Sequence, residues 1–127
     1  MSPGLAHESI LVVDDQPLSI KLIQLILEGE GYHVLVAANA TEALQAVRDA
    51  KPDLILMDIH LPSLDGLALT RLLRSDQESR HIKIVAISAY ASAEDEKQIA
   101  AAGCAGFISK PIETRTFAAS IREHLDK

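Results

Sequence analysis

The sequence predicts an α/β fold, a doubly wound parallel sheet of five strands with helices on both faces. One observation is that short apolar runs alternate with longer segments of helical periodicity along the chain. Strict alternation of this kind is typical of right-handed crossovers between parallel strands. A second observation is that the apolar runs are rich in β-branched residues and lack polar–apolar alternation. That pattern is typical of strands covered on both faces.

Four apolar runs are predicted as buried strands, and a fifth segment is predicted as an edge strand. The buried strands span residues 10–13, 54–57, 84–87 and 107–108. The segment 33–37 mixes polar with apolar residues. We therefore expect this strand to lie at an edge of the sheet, where one side of the backbone meets solvent.

Proline and glycine mark the predicted ends of two helices. Pro17 favours a first helical turn, and large apolar residues at positions 18, 22, 25 and 26 repeat with the spacing of one helical face. Gly29 and Gly31 then offer a stop, and Gly103 is predicted to close a later helix, because glycine readily adopts the left-handed conformation that ends helices.

Capping signals predict the remaining helices. Asn39 with Glu42, and Ser92 with Asp95, each show the spacing of a capping box. Asp65 is predicted to cap the helix between them. Apolar residues at positions 117, 121 and 125 mark a fifth helix near the end of the chain.

Composition and charge exclude several classes of protein. A chain of 127 residues fits one domain, which we expect to span residues 9–127 behind a flexible segment 1–8. The net charge of −6, the pI near 5.2 and an aromatic content of 3% argue against a nucleic-acid-binding surface. No apolar run reaches the roughly 18 residues of a membrane span. The lone Cys104 and the lack of a signal peptide predict a cytoplasmic protein.

Polar residues gather where the predicted strands end. Asp14 and Asp15 follow the first strand, Asp58 follows the third, Ser88 the fourth and Lys110 the fifth. In an open parallel sheet, ligands bind beyond the carboxyl ends of the strands. Each residue alone has an ordinary explanation, such as a turn or a helix cap. A capping role, however, does not explain why all of them converge on one edge.

The charge of this group predicts a bound metal ion. Two carboxylates about 4 Å apart repel by about 4 kcal/mol at an effective dielectric near 20, so three in one cleft require a cation. Mg²⁺ suits a site with oxygen ligands, few carboxylates and several waters. Such an ion would let Asp58 act as a nucleophile toward a phosphoryl group. Ser88 and Lys110 could then bind the phosphoryl oxygens.

Four segments resemble the response-regulator receiver family of two-component signalling. They are ILVVDD at 10–15, LMDIHLPSLDG at 56–66, ISA at 87–89 and GFISKP at 106–111. The resemblance extends over nearly the whole chain and implies the flavodoxin-like strand order 2-1-3-4-5.

The resemblance implies a role for each residue of the metal site. Asp58 matches the phosphoacceptor, and Asp14 and Asp15 match the acidic pair that binds Mg²⁺ together with Asp58. His60 matches the residue whose backbone carbonyl ligates the metal. Mn²⁺ is expected to substitute for Mg²⁺.

Further residues match the switch and the phosphate site of the family. Ser88 matches the switch hydroxyl, Phe107 the aromatic switch residue and Lys110 the phosphate-pairing lysine, whose bond to Pro111 is expected to be cis. His60 and Tyr90 occupy positions predicted to tune the lifetime of the phosphate. Two departures are that Leu61 stands where Met is common, and that Phe107 lacks a phenol hydroxyl.

The implied function is a signalling switch that does not turn over a separate substrate. The expected phosphodonor is a phosphohistidine of a sensor histidine kinase or a histidine phosphotransfer protein. The expected output is a change in the surface formed by residues 92–125, which would control a downstream protein. The Ala-rich helix 92–103 is expected to be weakly anchored and to move. We expect a monomer or weak dimer that binds neither nucleic acid nor membrane.

Other interpretations remain open at this point. The same receiver could belong to a hybrid histidine kinase or a multidomain regulator. A flavodoxin-like FMN-binding module shares the architecture, but Asp14 and Asp15 would repel a phosphate there. A haloacid-dehalogenase-like phosphatase usually carries its nucleophile after the first strand of a longer chain. The five histidines lack close metal-ligand spacing and are expected to be ordinary surface residues.

Overall fold

The main sheet consists of five parallel strands in the order β2-β1-β3-β4-β5, as expected. The computed structural model describes residues 7–61, 64–89 and 92–127. Each predicted strand is present, extended by one or two residues where its bounds differ. The strands are β1 (Ser9–Val13), β2 (His33–Ala37), β3 (Leu54–Asp58), β4 (Lys83–Ser88) and β5 (Gly106–Ser109).

The helices lie between the strands, as the alternation predicts. They are α1 (Pro17–Gly29), α2 (Ala40–Ala50), α3 (Gly66–Ser75), α4 (Ala93–Ala102) and α5 (Phe117–Asp126). Every helix in the described ranges is too short or too polar to cross a membrane.

The predicted capping residues act at the starts of three helices. Asn39 accepts a hydrogen bond from the backbone N–H of Glu42, and the Asp65 side chain accepts one from the start of α3. At α4, Ser92 and Asp95 form a reciprocal capping box. Each bond satisfies a backbone donor that a helix start otherwise leaves unpaired. At the other end of α4, Gly103 has a φ of 103°, which confirms its predicted role.

Alternate residues of each strand supply two aliphatic cores. Leu11 and Val13 of β1 pack with buried residues of α2, α3 and α4 on one face of the sheet. Ile10 and Val12 pack with buried residues of α1 and α5 on the other face. Helices therefore cover both faces, which confirms the doubly wound prediction. Each fully buried Leu or Ile contributes roughly 1.5–3 kcal/mol, so the framework around the strand ends is firmly held.

A short antiparallel hairpin follows β3 and has no counterpart in the sequence prediction. It pairs His60–Leu61 with Leu64–Asp65. Strands of two residues carry too little periodicity to be recognised in a sequence. The hairpin begins two residues after Asp58, so it forms part of the rim of the sheet.

Glu8, directly before β1, contacts two other elements of the fold. The backbone carbonyl of Glu8 accepts a hydrogen bond from His33, and its carboxylate forms an ion pair of 2.5 Å with Arg122 of α5. Glu8 is thus held against β2 and α5, while residues 1–6 of the predicted flexible segment lie outside the described part of the chain.

His124 of α5 differs from the expectation of an ordinary surface histidine. Its ring is half-buried over Gly106, where even a methyl group would clash with it. Burial, reinforced by the positive charges of Lys127 and Lys83, lowers the pKa of His124. Lys83 at the start of β4 donates hydrogen bonds to the last carbonyl groups of α5. His7, His33 and His81 are exposed, as predicted.

Candidate functional site

The carboxyl edge of the sheet brings Asp14, Asp58 and Lys110 together. Asp14 directly follows β1, Asp58 is the last residue of β3, and Lys110 directly follows β5. The ammonium nitrogen of Lys110 lies 2.5 Å from Oδ2 of Asp58 and 3.4 Å from Oδ2 of Asp14. Residues about 50 to 100 positions apart in sequence thus meet because parallel strands end on the same side.

Backbone hydrogen bonds hold these three residues in place. The N–H of Asp14 donates to the carbonyl of Ala37, and the N–H of Lys110 donates to the carbonyl of Ser88. The Lys110–Pro111 bond is cis, as expected. Because each residue is anchored to a neighbouring strand, the three side chains can converge without ordering a long loop.

Burial makes the charges of this site interdependent. Asp14 is 1% exposed and Asp58 is 3% exposed. Burial raises the pKa of Asp14, even though the backbone N–H of Gln16 and the charge of Lys110 act in the opposite direction. Burial would lower the pKa of Lys110, but its hydrogen bond to Asp58 and the charges of Asp58 and Asp14 outweigh that effect and raise it. The two acidic side chains therefore share one ammonium group as their common partner.

The other predicted site residues occupy the same edge with different exposure. Ser88 ends β4 and is fully buried, and the backbone of the residue before it pairs with Asp58. Asp15 directly follows Asp14 and is exposed. Phe107 of β5 is partly buried against the core that α2, α3 and α4 cover. Tyr90 lies outside the described residues, and for His60 only the backbone is described.

The carboxylate oxygens of Asp14 and Asp58 are suitable ligands for a hard dication, although both side chains contact the Lys110 ammonium in this structure. Within the described ranges, no three His, Cys, Asp or Glu side chains form a group that could hold a metal ion. Asp14 and Asp58 nevertheless present buried carboxylate oxygens that already bind a cation, Lys110. Carboxylate oxygens completed by waters are the ligands that Mg²⁺ prefers.

Sequence reasoning assigned no role to two residues that shape this site. A Cβ atom at Gly66 would lie 2.7 Å from the Cα of Ile59 and 2.8 Å from the carbonyl oxygen of Asp58. Gly66 thus lets α3 start directly against the end of β3. The second residue is Gln16, whose side-chain oxygen accepts a hydrogen bond from Lys110 at 3.2 Å. Neither contact has a local sequence signal apart from the nearness of each residue to an aspartate.

The fold and the site define a signalling domain of the two-component type. The family sequence model of the response regulator receiver domain matches residues 10–122 of the chain. The chain therefore belongs to this family. Receiver domains are signalling switches and bind Mg²⁺ in the active site. They interact with histidine kinases or phosphotransfer proteins and with downstream targets. The family assignment supports the receiver interpretation and not the FMN-binding alternative.

Particular relatives show how far the similarity extends. The chain is 42% identical over 118 residues to the polar-differentiation response regulator DivK of Brucella anthropi, covering 93% of this chain and 96% of that protein. A CheY-like receiver domain protein of Methanospirillum hungatei JF-1 superposes with a TM-score of 0.85 at 33% identity, covering 95% of each chain.

A further solved structure was determined with a metal. It is the receiver domain of the sensor histidine kinase PA1611 from Pseudomonas aeruginosa PAO1, with a magnesium ion coordinated in its active site cleft. That domain superposes on this chain with a TM-score of 0.85 at 30% identity, over 96% of this chain and 100% of that one.

Proposed function

We propose that this receiver domain accepts a phosphoryl group on Asp58 from a phosphohistidine of a sensor histidine kinase or a histidine phosphotransfer protein. The contact of 2.5 Å between the Lys110 ammonium and Asp58 Oδ2 is the observation that supports this assignment. It places a cation beside the proposed nucleophile, where the phosphoryl oxygens would arrive. Oδ2 of the second buried carboxylate, Asp14, lies 3.4 Å from the same ammonium nitrogen.

The proposed metal site consists of the side chains of Asp14, Asp15 and Asp58 and the backbone carbonyl of His60. Mg²⁺ is the proposed ion, with Mn²⁺ as a substitute. When bound, the dication supplies positive charge that neutralises the carboxylates and the developing charge on the phosphoryl oxygens. Asp15 is exposed, so it would ligate the ion either directly or through a water molecule.

The residues of the chain carry out a simple displacement. A carboxylate oxygen of Asp58 attacks phosphorus, an O–P bond forms, and the P–N bond to the donor imidazole breaks with the electron pair staying on nitrogen. Lys110 then exchanges its bond to the free carboxylate for one to a phosphoryl oxygen, and the Ser88 hydroxyl donates to another. Attack of water on phosphorus then breaks the O–P bond to Asp58, which regenerates the carboxylate and releases inorganic phosphate, and His60 and Tyr90 would tune the rate of that step.

Phosphorylation would then change the surface formed by residues 92–125. Ser88 is fully buried, so its movement toward a phosphoryl oxygen would vacate space that Phe107 can occupy. The residues of α4 that are buried are Ile99 and Ala102, and a helix with so few apolar contacts opens easily. Slower or faster amide exchange in residues 93–102 on phosphorylation would support this switch, and unchanged exchange would exclude it.

The rest of the proposal follows from the same assignment. The receiver domain spans residues 9–127, acts in the cytoplasm as a monomer or weak dimer, and turns over no substrate other than its own acyl phosphate. Its downstream partner is a protein that recognises the switched surface.

Intact-mass measurement tests the phosphoacceptor. The protein is incubated with acetyl phosphate and Mg²⁺, and we expect it to gain the mass of one phosphoryl group. The matched variant Asp58→Asn keeps the size of the side chain but lacks the nucleophilic carboxylate, so we expect no gain. Equal labelling of both proteins, or of neither, would refute the assignment.

A further inference from the structure

The ammonium group of Lys110 has one acceptor for each of its three N–H donors. Two of these acceptors are carboxylate oxygens, Oδ2 of Asp58 and Oδ2 of Asp14. The third is Oε1 of Gln16, which lies 3.2 Å from the ammonium nitrogen. An ammonium group donates three hydrogen bonds and accepts none. Gln16 therefore completes its coordination with an acceptor that carries no charge.

Gln16 is itself held by the start of α1. Its backbone N–H donates to Oδ1 of Asp14 at 3.0 Å, and the Ser19 hydroxyl donates to its side-chain oxygen at 3.3 Å. Its backbone carbonyl accepts the first helical hydrogen bond, from Ile20. These contacts fix the position of the Gln16 amide oxygen relative to Asp14 and Asp58.

The two kinds of acceptor respond differently to an incoming dication. A divalent ion that binds Asp14 and Asp58 competes with Lys110 for the same oxygens, because both are positively charged. A neutral amide oxygen attracts the dication much less than a carboxylate does. The bond between Lys110 and Gln16 can therefore persist when the two carboxylate bonds weaken.

We propose that Gln16 is a positioning residue that retains the Lys110 ammonium at the edge of the site while the carboxylates bind a divalent cation. The inference deepens the proposed function and rests on it. Because the ammonium group then donates less to the carboxylates, its hydrogen bond to the Gln16 amide oxygen is stronger in the cation-bound state than in the free state. By linkage, its amide oxygen favours cation binding.

Titration with Mg²⁺ alone tests the proposal. Amide chemical shifts of the full chain report the dissociation constant without any phosphorylation. Gln16→Met removes the acceptor and keeps the length of the side chain. We expect this variant to weaken Mg²⁺ binding by about three- to tenfold, because a hydrogen bond to a charged donor is lost from the cation-bound state. Gln16→Glu keeps an acceptor at this position, so we expect its Mg²⁺ binding to be at least as tight as that of the parent.

The double variant separates positioning from a structural role at the start of α1. In a Lys110→Met background, Gln16→Met should leave the Mg²⁺ affinity unchanged, because there is no ammonium group to hold. A loss of the same size in both backgrounds would overturn the proposal, as would a Gln16→Met protein that binds Mg²⁺ like the parent.

The mass experiment distinguishes this failure from failure of the proposed function. A parent chain that gains a phosphoryl group on Asp58, with Gln16→Met leaving Mg²⁺ binding unaltered, refutes the role of Gln16 alone. A parent chain that neither binds Mg²⁺ nor gains mass refutes both.

Discussion

Replacing Lys110 with methionine should expose the electrostatic conflict at the centre of the site. Methionine keeps an apolar stem of similar length but removes the ammonium group that lies between Asp58 and Asp14. The side chains of the two aspartates are 5% and 1% exposed, so water can offset only part of the lost positive charge. Removing one partner of a fully buried pair costs about 3–5 kcal/mol. Because Lys110 itself is 13% exposed, we expect a loss of about 2–3 kcal/mol without metal.

Mg²⁺ should recover much of this loss. A dication can take the place of the ammonium group, and in the variant it no longer competes with Lys110 for the carboxylates. A ligand present at 100 times its dissociation constant stabilises a protein by about 2.7 kcal/mol. We expect the stabilisation by a fixed, saturating Mg²⁺ concentration to be about 1–2 kcal/mol larger for the variant than for the parent.

Urea unfolding followed by far-UV circular dichroism measures both quantities, since the chain contains no tryptophan. Lys97→Met is the matched control, because Lys97 is exposed on α4 and its loss should change stability by no more than about 0.5 kcal/mol. If Mg²⁺ stabilises the parent and Lys110→Met by the same amount, the ammonium and the dication do not compete for the carboxylates, and the electrostatic account of the site is wrong.

Two further predictions concern the framework of the site and the start of the domain. Gly66→Ala should destabilise the protein by about 1–3 kcal/mol and slow acetyl-phosphate labelling, because its Cβ would meet backbone atoms of Ile59 and Asp58 at 2.7 and 2.8 Å. Glu8→Gln should cost about 1 kcal/mol at neutral pH, given that the Arg122 side chain is 39% exposed. The hydrogen bond from Arg122 lowers the pKa of Glu8 from 4.5 to about 2. A lowered pKa stabilises the fold above pH 4.5, so the difference between parent and variant should vanish as the pH falls toward about 2.

Each of these predictions has a control within the chain. Gly29→Ala places a methyl group where no atom lies within 4 Å, so its effect on stability should be neutral or slightly favourable. If Gly29→Ala destabilises the protein as much as Gly66→Ala does, the close approach of residue 66 to the end of β3 is not the cause of the loss. For Glu8, unfolding curves at a series of pH values are compared. A difference from the parent that stays constant between about pH 5 and pH 2 would show that the Arg122 ion pair is not its source.

Much of the framework was readable in the sequence because its signals are local. The apolar runs that form the centres of β1, β3 and β4 lack polar–apolar alternation, so their burial and parallel arrangement follow from the sequence pattern. The helix starts at Asn39 and Ser92 depend on contacts across three residues, a distance that a sequence pattern records directly. The convergence of Asp14, Asp58 and Lys110 follows once the strands are recognised, since parallel strands deliver their carboxyl ends to one edge.

Tertiary structure alone decided the features that depend on contacts between distant residues. Lys110 meets Gln16 across 94 positions, and Glu8 meets Arg122 across 114, so no local pattern encodes either pair. Position 66 requires glycine because the backbone of Asp58 and Ile59, at the end of β3, leaves no space for a Cβ atom there. The partial burial of His124 and the exposure of Asp15 depend on how whole elements pack. Sequence determined which groups are available at the edge of the sheet, and packing determined which of them touch.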